Sequence, residues 1–227
     1  MLGVIVNTAA VVFGSLIGLL FKKGLGEKLS QAVMTVLGLF TLYVGIDGVL
    51  GGQDPLVVLI SAVVGVIIGT ALDLDGLIAR AGDRLGSGKE GFSQGFMTGS
   101  LLFCVGAMTV VGSLQSGLKG DHSLIFTKSA MDLISSMMLA SSLGIGVLFA
   151  AGFVFVFQGG LVLLSGALAP VLTDAAIADL GCVGSLFIIA LGLNLIGVTK
   201  IKVANGLPAV LITPAVLWLW QTIAALL

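Results

Sequence analysis

Charge is scarce in this sequence: 10 Lys and Arg and 11 Asp and Glu among 227 residues, or 9%. A soluble domain carries nearer a quarter and needs polar groups over most of its outside. A water-exposed globule is therefore excluded. The two signs nearly cancel, leaving a net charge of −1 and no positive field to hold nucleic acid. One histidine and two cysteines are too few for a metal knuckle, and Cys104 and Cys182 both sit inside apolar runs, so no disulfide framework is expected either. Neither a GxSxG nor an HExxH pattern occurs. Catalysis, a cofactor and a metal site are not expected. What the chain has in abundance is apolar: 58% of it is AVILMFWYC, with 34 glycines besides. Such hydrophobicity excludes disorder. It leaves a multi-spanning membrane protein whose first partner is lipid.

A span needs about 20 apolar residues to cross about 30 Å of hydrocarbon. Eight runs qualify, near residues 2–21, 29–50, 56–79, 92–114, 125–140, 143–167, 181–198 and 207–227. The expected fold is an all-α membrane protein of about eight transmembrane helices. The first run has no basic residue ahead of it and is followed by Lys22 and Lys23, the reverse of a cleavable signal peptide. With the N-terminus outside, eight spans put Lys22, Lys23, Lys28, Arg80, Arg84, Lys89, Lys200 and Lys202 on one side. That bias is what the positive-inside rule expects of the cytoplasmic face. Both termini then lie outside. The fifth span is the shortest and carries Lys128 and Asp132. The polar stretch GSGKE (86–90) lacks the spacing and the Ser/Thr of a phosphate loop and reads as a turn.

Two stretches align without a gap: VLGLFTLYVGIDGV (36–49) and VGSLFIIALGLNLI (183–196). Val36, Leu39, Phe40 and Gly45 match Val183, Leu186, Phe187 and Gly192, and Asp47 falls on Asn194. Further on, PLVVLISAV (55–63) meets PAVLITPAV (208–216). The copies lie an odd number of crossings apart and would run in opposite directions. The expected organisation is thus an inverted repeat of spans 1–3 and 6–8 (halves 1–79 and 143–227) around a central helical unit, 92–140. Inverted repeats around a midplane site are a common transporter architecture. The glycine pairs GSLIG (14–18), GVIIG (65–69) and GFMTG (95–99) let helix backbones touch in lipid and are read chiefly as packing within the bundle. Gly144, Gly146 and Gly152 are candidates for a broken helix.

A charge at the bilayer centre costs about 2.5–3.5 kcal/mol on insertion scales and usually has a partner or a purpose. Lys128 and Asp132 are one turn apart and can neutralise each other, either as a structural pair or at the wall of an aqueous site. Ser135 follows on the next turn. Asp47 stands late in the second span, near the interface. Asn7, Gln115, Gln158, Asn194 and Asn205 are neutral amides in or beside spans, commonly helix-to-helix glue. His122, in KGDHS, reads as a solvated loop residue, and Trp218 and Trp220 as an interfacial anchor.

At VNTAAVVFGSLIG (6–18), FTKSAMDLISSMMLASSLGIGV (126–147) and VANGLPAVL (203–211) the chain resembles the YqgA/YdfK-like family of uncharacterised bacterial inner-membrane proteins. The Lys-Ser-x-x-Asp segment with the Ser-Leu-Gly-Ile-Gly after it is the most specific part. The resemblance implies a bacterial cytoplasmic membrane and a compact multi-spanning domain, and no established substrate. Asn7, Lys128, Ser129, Asp132, Asn205 and Pro208 fall on the family pattern.

The expected function is a small-solute or ion transporter, proton- or cation-coupled, with a midplane site at the repeat interface. The candidate binding residues are Asp132, Lys128, Ser135, Ser129, Asn7, Asp47, Asn194 and Asn205. The alternative is a non-transporting assembly, sensory or structural membrane protein. A homodimer is expected from the glycine-rich faces. A polar cavity touching Asp132 would favour transport.

Overall fold

Long apolar runs leave the backbone one way to satisfy its own hydrogen bonds out of water, the helix. The computed structural model describes residues 1–22, 27–82, 92–104, 107–170 and 172–224, and among these there is no strand. The helices are α1 (Leu2–Lys22), α2 (Glu27–Val49), α3 (Pro55–Ala71), α4 (Leu74–Gly82), α5 (Phe92–Cys104) and α6 (Ala107–Lys119). They are followed by α7 (Ser123–Leu143), α8 (Gly146–Leu163), the short α9 (Ser165–Leu168), α10 (Asp174–Leu195) and α11 (Leu207–Ala224), which a 3-10 turn (Val203–Gly206) precedes. The polar turn expected at GSGKE, together with Lys23, Arg84 and Lys89, lies outside the described residues.

Among the described residues, four helices are long and apolar enough to cross a membrane, or five if the bent pair α5–α6 counts as one span. The four are α1, α8, α10 and the 3-10 turn with α11; α2 and α3 hold shorter apolar helices. Large apolar side chains such as Leu20, Leu50, Val156, Leu163 and Leu211 stand exposed around the outside, which only a lipid surface tolerates on this scale. The protein is an all-helical membrane protein.

Three helices depart from the expected span boundaries. The third run does not continue to residue 79: α3 stops at Ala71, Asp73 adopts a left-handed φ of +47°, and the chain restarts as α4. The charges explain it, since Asp73 pairs with Arg80 at 3.0 Å in an exposed bridge that hydrocarbon would penalise. The fourth run is two helices, with α5 and α6 bent by 58°. There the Thr109 hydroxyl donates to the Phe103 carbonyl at 3.0 Å, satisfying a backbone group the break frees. The seventh helix starts earlier than expected, at Asp174, because the Thr173 hydroxyl caps it by accepting from the Ala176 N–H.

Glycines set which helices touch and in which direction. A methyl on Gly14 would collide with the Ser136 hydroxyl and the Leu133 carbonyl, and one on Gly18 with the Met137 carbonyl, so α1 and α7 run parallel, backbone to backbone. Gly95 meets Leu143 and Val147 while Gly99 meets Ala150, so α5 and α8 are parallel too. Gly65 abuts Ala209 and Gly69 abuts Asn205, which makes α3 and α11 antiparallel. The three glycine pairs are thus used inside the chain. Of the glycines expected to break a helix, Gly144 does so: at φ +84° it turns α7 into α8.

The α2–α10 seam is antiparallel and has a further property. A methyl on Gly45 would lie 2.7 Å from Ile189 Cγ1 and 3.1 Å from the Ser185 carbonyl; one on Gly192 would lie 2.7 Å from Leu42 Cγ and 3.0 Å from the Gly38 carbonyl. In the 36–49/183–196 alignment, Gly45 corresponds to Gly192, Leu42 to Ile189 and Gly38 to Ser185. Exchanging the two stretches maps each contact onto the other.

The loops gather at two ends. At one, Asp179 at the start of α10 accepts the Gln53 and Asp54 N–H groups at 2.7 and 3.0 Å; this is the Asp54 end, where Gly117 near the close of α6 also meets Ser165. At the Lys202 end, Asn205 accepts the Asp75 N–H at 3.0 Å. Between the ends, buried Met97, Leu101, Ile188, Leu191, Val203 and Ala204 form one apolar cluster.

Candidate functional site

Lys128 and Asp132 face the same way because four residues make just over one helical turn. Their ion pair closes with Lys128 Nζ at 2.8 Å from both Asp132 oxygens, and both side chains are buried, with 7% and 4% exposure. Asp132 is nine residues into α7, which at 1.5 Å per residue is about 14 Å along it and close to half of a 30 Å core. The pair is held from behind by α1, which packs parallel to α7 through Gly14 and Gly18. That packing brings Asn7 Nδ2 to 3.1 Å from Asp132 Oδ2 and to 3.2 Å from Gln158 Oε1 on α8. Asn7 and Gln158 have no solvent exposure, and Asn7 Oδ1 and Gln158 Nε2 have no hydrogen-bond partner among the described residues. An amide donating to a buried carboxylate strengthens it roughly twice as much as a neutral bond would.

In front of the pair lies a cavity of about 470 Å³. Its wall includes Lys128, Asp132 and Ser135 from α7, Asp47 from α2, Ser185 from α10 and Thr109 beside the α5–α6 bend. The rest is apolar, with Phe40, Val44, Met131 and Ile188 among the lining residues. Asp47 is exposed near the Asp54 end, while Asp132 lies deeper. The cavity wall thus extends from Asp47 to the ion pair, and Phe40, Met108 and Met131 on it are also exposed on the outside of the bundle. A second cavity, of about 610 Å³, occupies the Lys202 end, with Asn194, Lys200, Lys202, Gln94 and Asp75 on its wall. α5 and α10 line both cavities. The cluster containing Met97, Leu101, Ile188 and Leu191 lies on these same two helices between them.

The expected site residues divide into two groups. Asn7 and Lys128 both donate to Asp132, and Asp47 and Ser135 join Lys128 and Asp132 on the cavity wall. Ser129 is buried beside the pair, but its hydroxyl donates to the Ile125 carbonyl at 2.7 Å, within its own helix. Asn194 and Asn205 serve backbone at the Lys202 end: Asn194 Nδ2 donates to the Ile201 carbonyl at 2.8 Å and its Oδ1 accepts from Thr199 and the Ile201 N–H. Gln158 is the residue sequence reasoning left as glue. The signal was available, since it is the one polar side chain in the apolar run of α8.

Other expectations meet the geometry as follows. His122 is half-buried, its Nδ1 2.8 Å from the Ser116 hydroxyl and its ring against Phe126. Asp121, exposed ahead of α7, is held below the usual carboxylate range by the Ser123 hydroxyl and then the Ser123 N–H. Trp218 is exposed, while Trp220 packs beside Val57, Ala176 and Leu217. Among the described residues, no group of three or more His, Cys, Asp and Glu could hold a metal ion.

The comparisons with known proteins follow the length of the chain. It is 29% identical over 222 residues to the "Uncharacterized membrane protein YdfK" of Bacillus subtilis (strain 168), covering 96% of each chain. It is 28% identical over 220 residues to the "Uncharacterized protein YqgA" of Escherichia coli (strain K12), covering 93% of this chain and 94% of that one. No solved structure matches. Residues 2–218 match the family described as "Protein of unknown function (DUF554)", and with that match over nearly its whole length this membrane protein belongs to the DUF554 family.

Proposed function

We propose that the protein is a carrier that moves a small solute or ion across the bacterial inner membrane, binding it beside Lys128 and Asp132. The observation that carries this reading is the cavity with a buried ion pair at its inner end. A pair that only helped α7 insert would be expected to be closed off by packing, whereas this one forms part of a cavity wall. Intramembrane ionisable groups facing a cavity mark solute and proton paths, and bent helices such as α5–α6 line them.

Eight crossings and an inverted repeat belong to the proposal. The helix directions support the count: with α1 parallel to α7, α5 parallel to α8, α2 antiparallel to α10 and α3 antiparallel to α11, strict alternation along the chain satisfies every pairing. The exchanged contacts at Gly45 and Gly192 support an in-plane two-fold axis through the α2–α10 seam. Orientation follows from charge. Among the described residues, Lys28, Arg80, Lys200 and Lys202 belong to the Lys202 end and Lys119 to the other, so on this reading the Lys202 end is cytoplasmic by the positive-inside rule and both termini are outside. In this reading the cavity by Asp47 is the outward vestibule and the one by Asn194 the inward vestibule. Met97, Leu101, Ile188 and Leu191 are the closed gate. Transport exchanges which vestibule reaches the ion pair, and the protein is a carrier rather than an enzyme.

The test is uptake into liposomes holding the purified chain, over a panel of ions and small metabolites. Uptake of any one of them, abolished by replacing Lys128 with Met and Asp132 with Leu together, is the expected result. A panel with no flux for the intact protein would reject it. A homodimer is proposed as well, now on α8 alone: Gly152 and Gly160, two turns apart, have nothing within 4 Å. Native mass spectrometry from lipid should give a dimer, and a monomer would remove that part.

A further inference from the structure

Resting on the carrier reading, we infer that the solute is a small zwitterion with an apolar side chain, of the α-amino-acid type. Lys128 and Asp132 together carry no net charge, and they sit at the inner end of a cavity whose walls are largely apolar. A simple cation or anion arriving there adds one uncompensated charge in a medium of low dielectric, which is expensive. A zwitterion adds none. It can exchange one internal ion pair for two, its carboxylate against Lys128 and its ammonium against Asp132.

The hydrogen-bond inventory fits that exchange. An ammonium has three donors, and in the geometry seen here Lys128 directs two of them at Asp132, leaving one for an incoming carboxylate. Asp132 Oδ2 accepts from both Lys128 and Asn7, whereas Oδ1 accepts from Lys128 alone and retains capacity for an ammonium. Ser135, one turn beyond Asp132 on the same wall, offers a hydroxyl to either end. Asp47, exposed at the mouth, gives the entrance one negative charge and draws the ammonium end inward first. Of the remaining wall, Thr109 already donates to the Phe103 carbonyl and Ser185 adds one hydroxyl; the rest, with Phe40, Val44, Met131 and Ile188, is apolar and suits a hydrocarbon side chain. At about 470 Å³ the cavity falls in the lower part of the range of small-molecule sites.

Three molecules of one shape and different charge separate the possibilities. Leucine is the zwitterion, leucinamide keeps only the ammonium, and 4-methylpentanoate keeps only the carboxylate. Binding to the purified full-length protein is read by calorimetry and by the shift in unfolding temperature, with valine and phenylalanine alongside. The expected result is that leucine, valine or phenylalanine binds at least tenfold more tightly than both singly charged analogues. Ser135→Ala should weaken that binding severalfold without changing the unfolding temperature of the free protein. The double variant K128M/D132L, which leaves no stranded charge, should fold and lose zwitterion binding. Equal or tighter binding of leucinamide or 4-methylpentanoate overturns the inference. So does the absence of any response to all three amino acids. If the liposome panel still shows flux of another solute, the carrier reading survives that failure, and if it shows none, both fall.

Discussion

The seams between α1 and α7 and between α2 and α10 are the most extensive in the bundle, and they are built to opposite ends. Both bring glycine against a neighbouring backbone. The α1–α7 seam is parallel and includes charge: Asn7 reaches across it to Asp132, which Lys128 already holds. Sliding one helix along the other would break a hydrogen bond to a buried carboxylate, so this seam resists motion. The α2–α10 seam is antiparallel and sets small residues, Gly38, Gly45, Gly48, Ser185 and Gly192, against one another and against Leu42, Ile189 and Ile196, and its contacts at Gly45 and Gly192 repeat when the two helices are exchanged. Among the described residues, no ion pair crosses it. On the proposed carrier reading, α1 and α7 would form the fixed wall beside the solute and α2 and α10 the part that rearranges.

The largest expected effect comes from breaking the fixed wall. Asp132→Asn strands the buried Lys128 ammonium and should cost about 3–5 kcal/mol, the usual penalty for removing one partner of a buried pair. K128M/D132L should recover most of that stability, as apolar replacements of buried pairs often do, while uptake stays abolished. Thermal unfolding in detergent with uptake in parallel reads both. A double variant that is stable and fully active would make the pair structural and end its assignment as the binding site.

Next come the glycines of the rearranging seam. Gly45→Ala and Gly192→Ala place a methyl against equivalent neighbours at equivalent distances, so each should cost about 1–3 kcal/mol by overpacking, and the two costs should agree. Uptake should slow more than stability falls, because the alternative packing is obstructed too. Costs that differ by more than about 2 kcal/mol would contradict the two-fold relation of the seam.

Asn7→Leu tests the tie between the wall's two helices. It removes one hydrogen bond to a charged group, worth about 1.5–3 kcal/mol, and leaves Gln158 Oε1 without its donor. The ion pair itself remains, so zwitterion affinity should fall less than tenfold. An effect on affinity as large as that of K128M/D132L would move Asn7 from supporting residue to direct ligand.

The sequence revealed these regions unequally, for physical reasons. Composition announced lipid as the solvent, and helical spacing alone put Lys128 and Asp132 on one face. The stretches 36–49 and 183–196, aligned in sequence, pack against each other across the α2–α10 seam, a contact that the alignment alone did not predict. Boundaries were harder to read, because hydropathy does not register where a helix bends. The α5–α6 bend is satisfied by Thr109, a residue that looks unremarkable in sequence, and α3 ends at a left-handed aspartate. Amides were hardest. Asn7, Gln158, Asn194 and Asn205 look alike in sequence, yet the first two adjoin the ion pair and the last two hold loop backbone. Only tertiary contacts distinguish a helix-facing amide from a capping one.

The smallest expected effect lies at Asp47, which falls on Asn194 in the 36–49/183–196 alignment. Asp47 is exposed and makes no ion pair within 4 Å among the described residues, so Asp47→Asn should leave the unfolding temperature unchanged. What it removes is a single negative charge at the entrance. Capture of the ammonium end should slow by a few-fold at low salt, and the difference should fade as ionic strength rises and the screening length shrinks toward about 3 Å at 1 M. The reciprocal change, Asn194→Asp, behaves differently. A carboxylate cannot donate to the Ile201 carbonyl, so the loop between α10 and the 3-10 turn loses a bond worth about 1 kcal/mol, with no change in capture from the Asp47 side. Initial uptake rates from 20 mM to 500 mM salt separate the two. A salt-independent loss of uptake in Asp47→Asn would place Asp47 in contact with the bound solute rather than at the mouth.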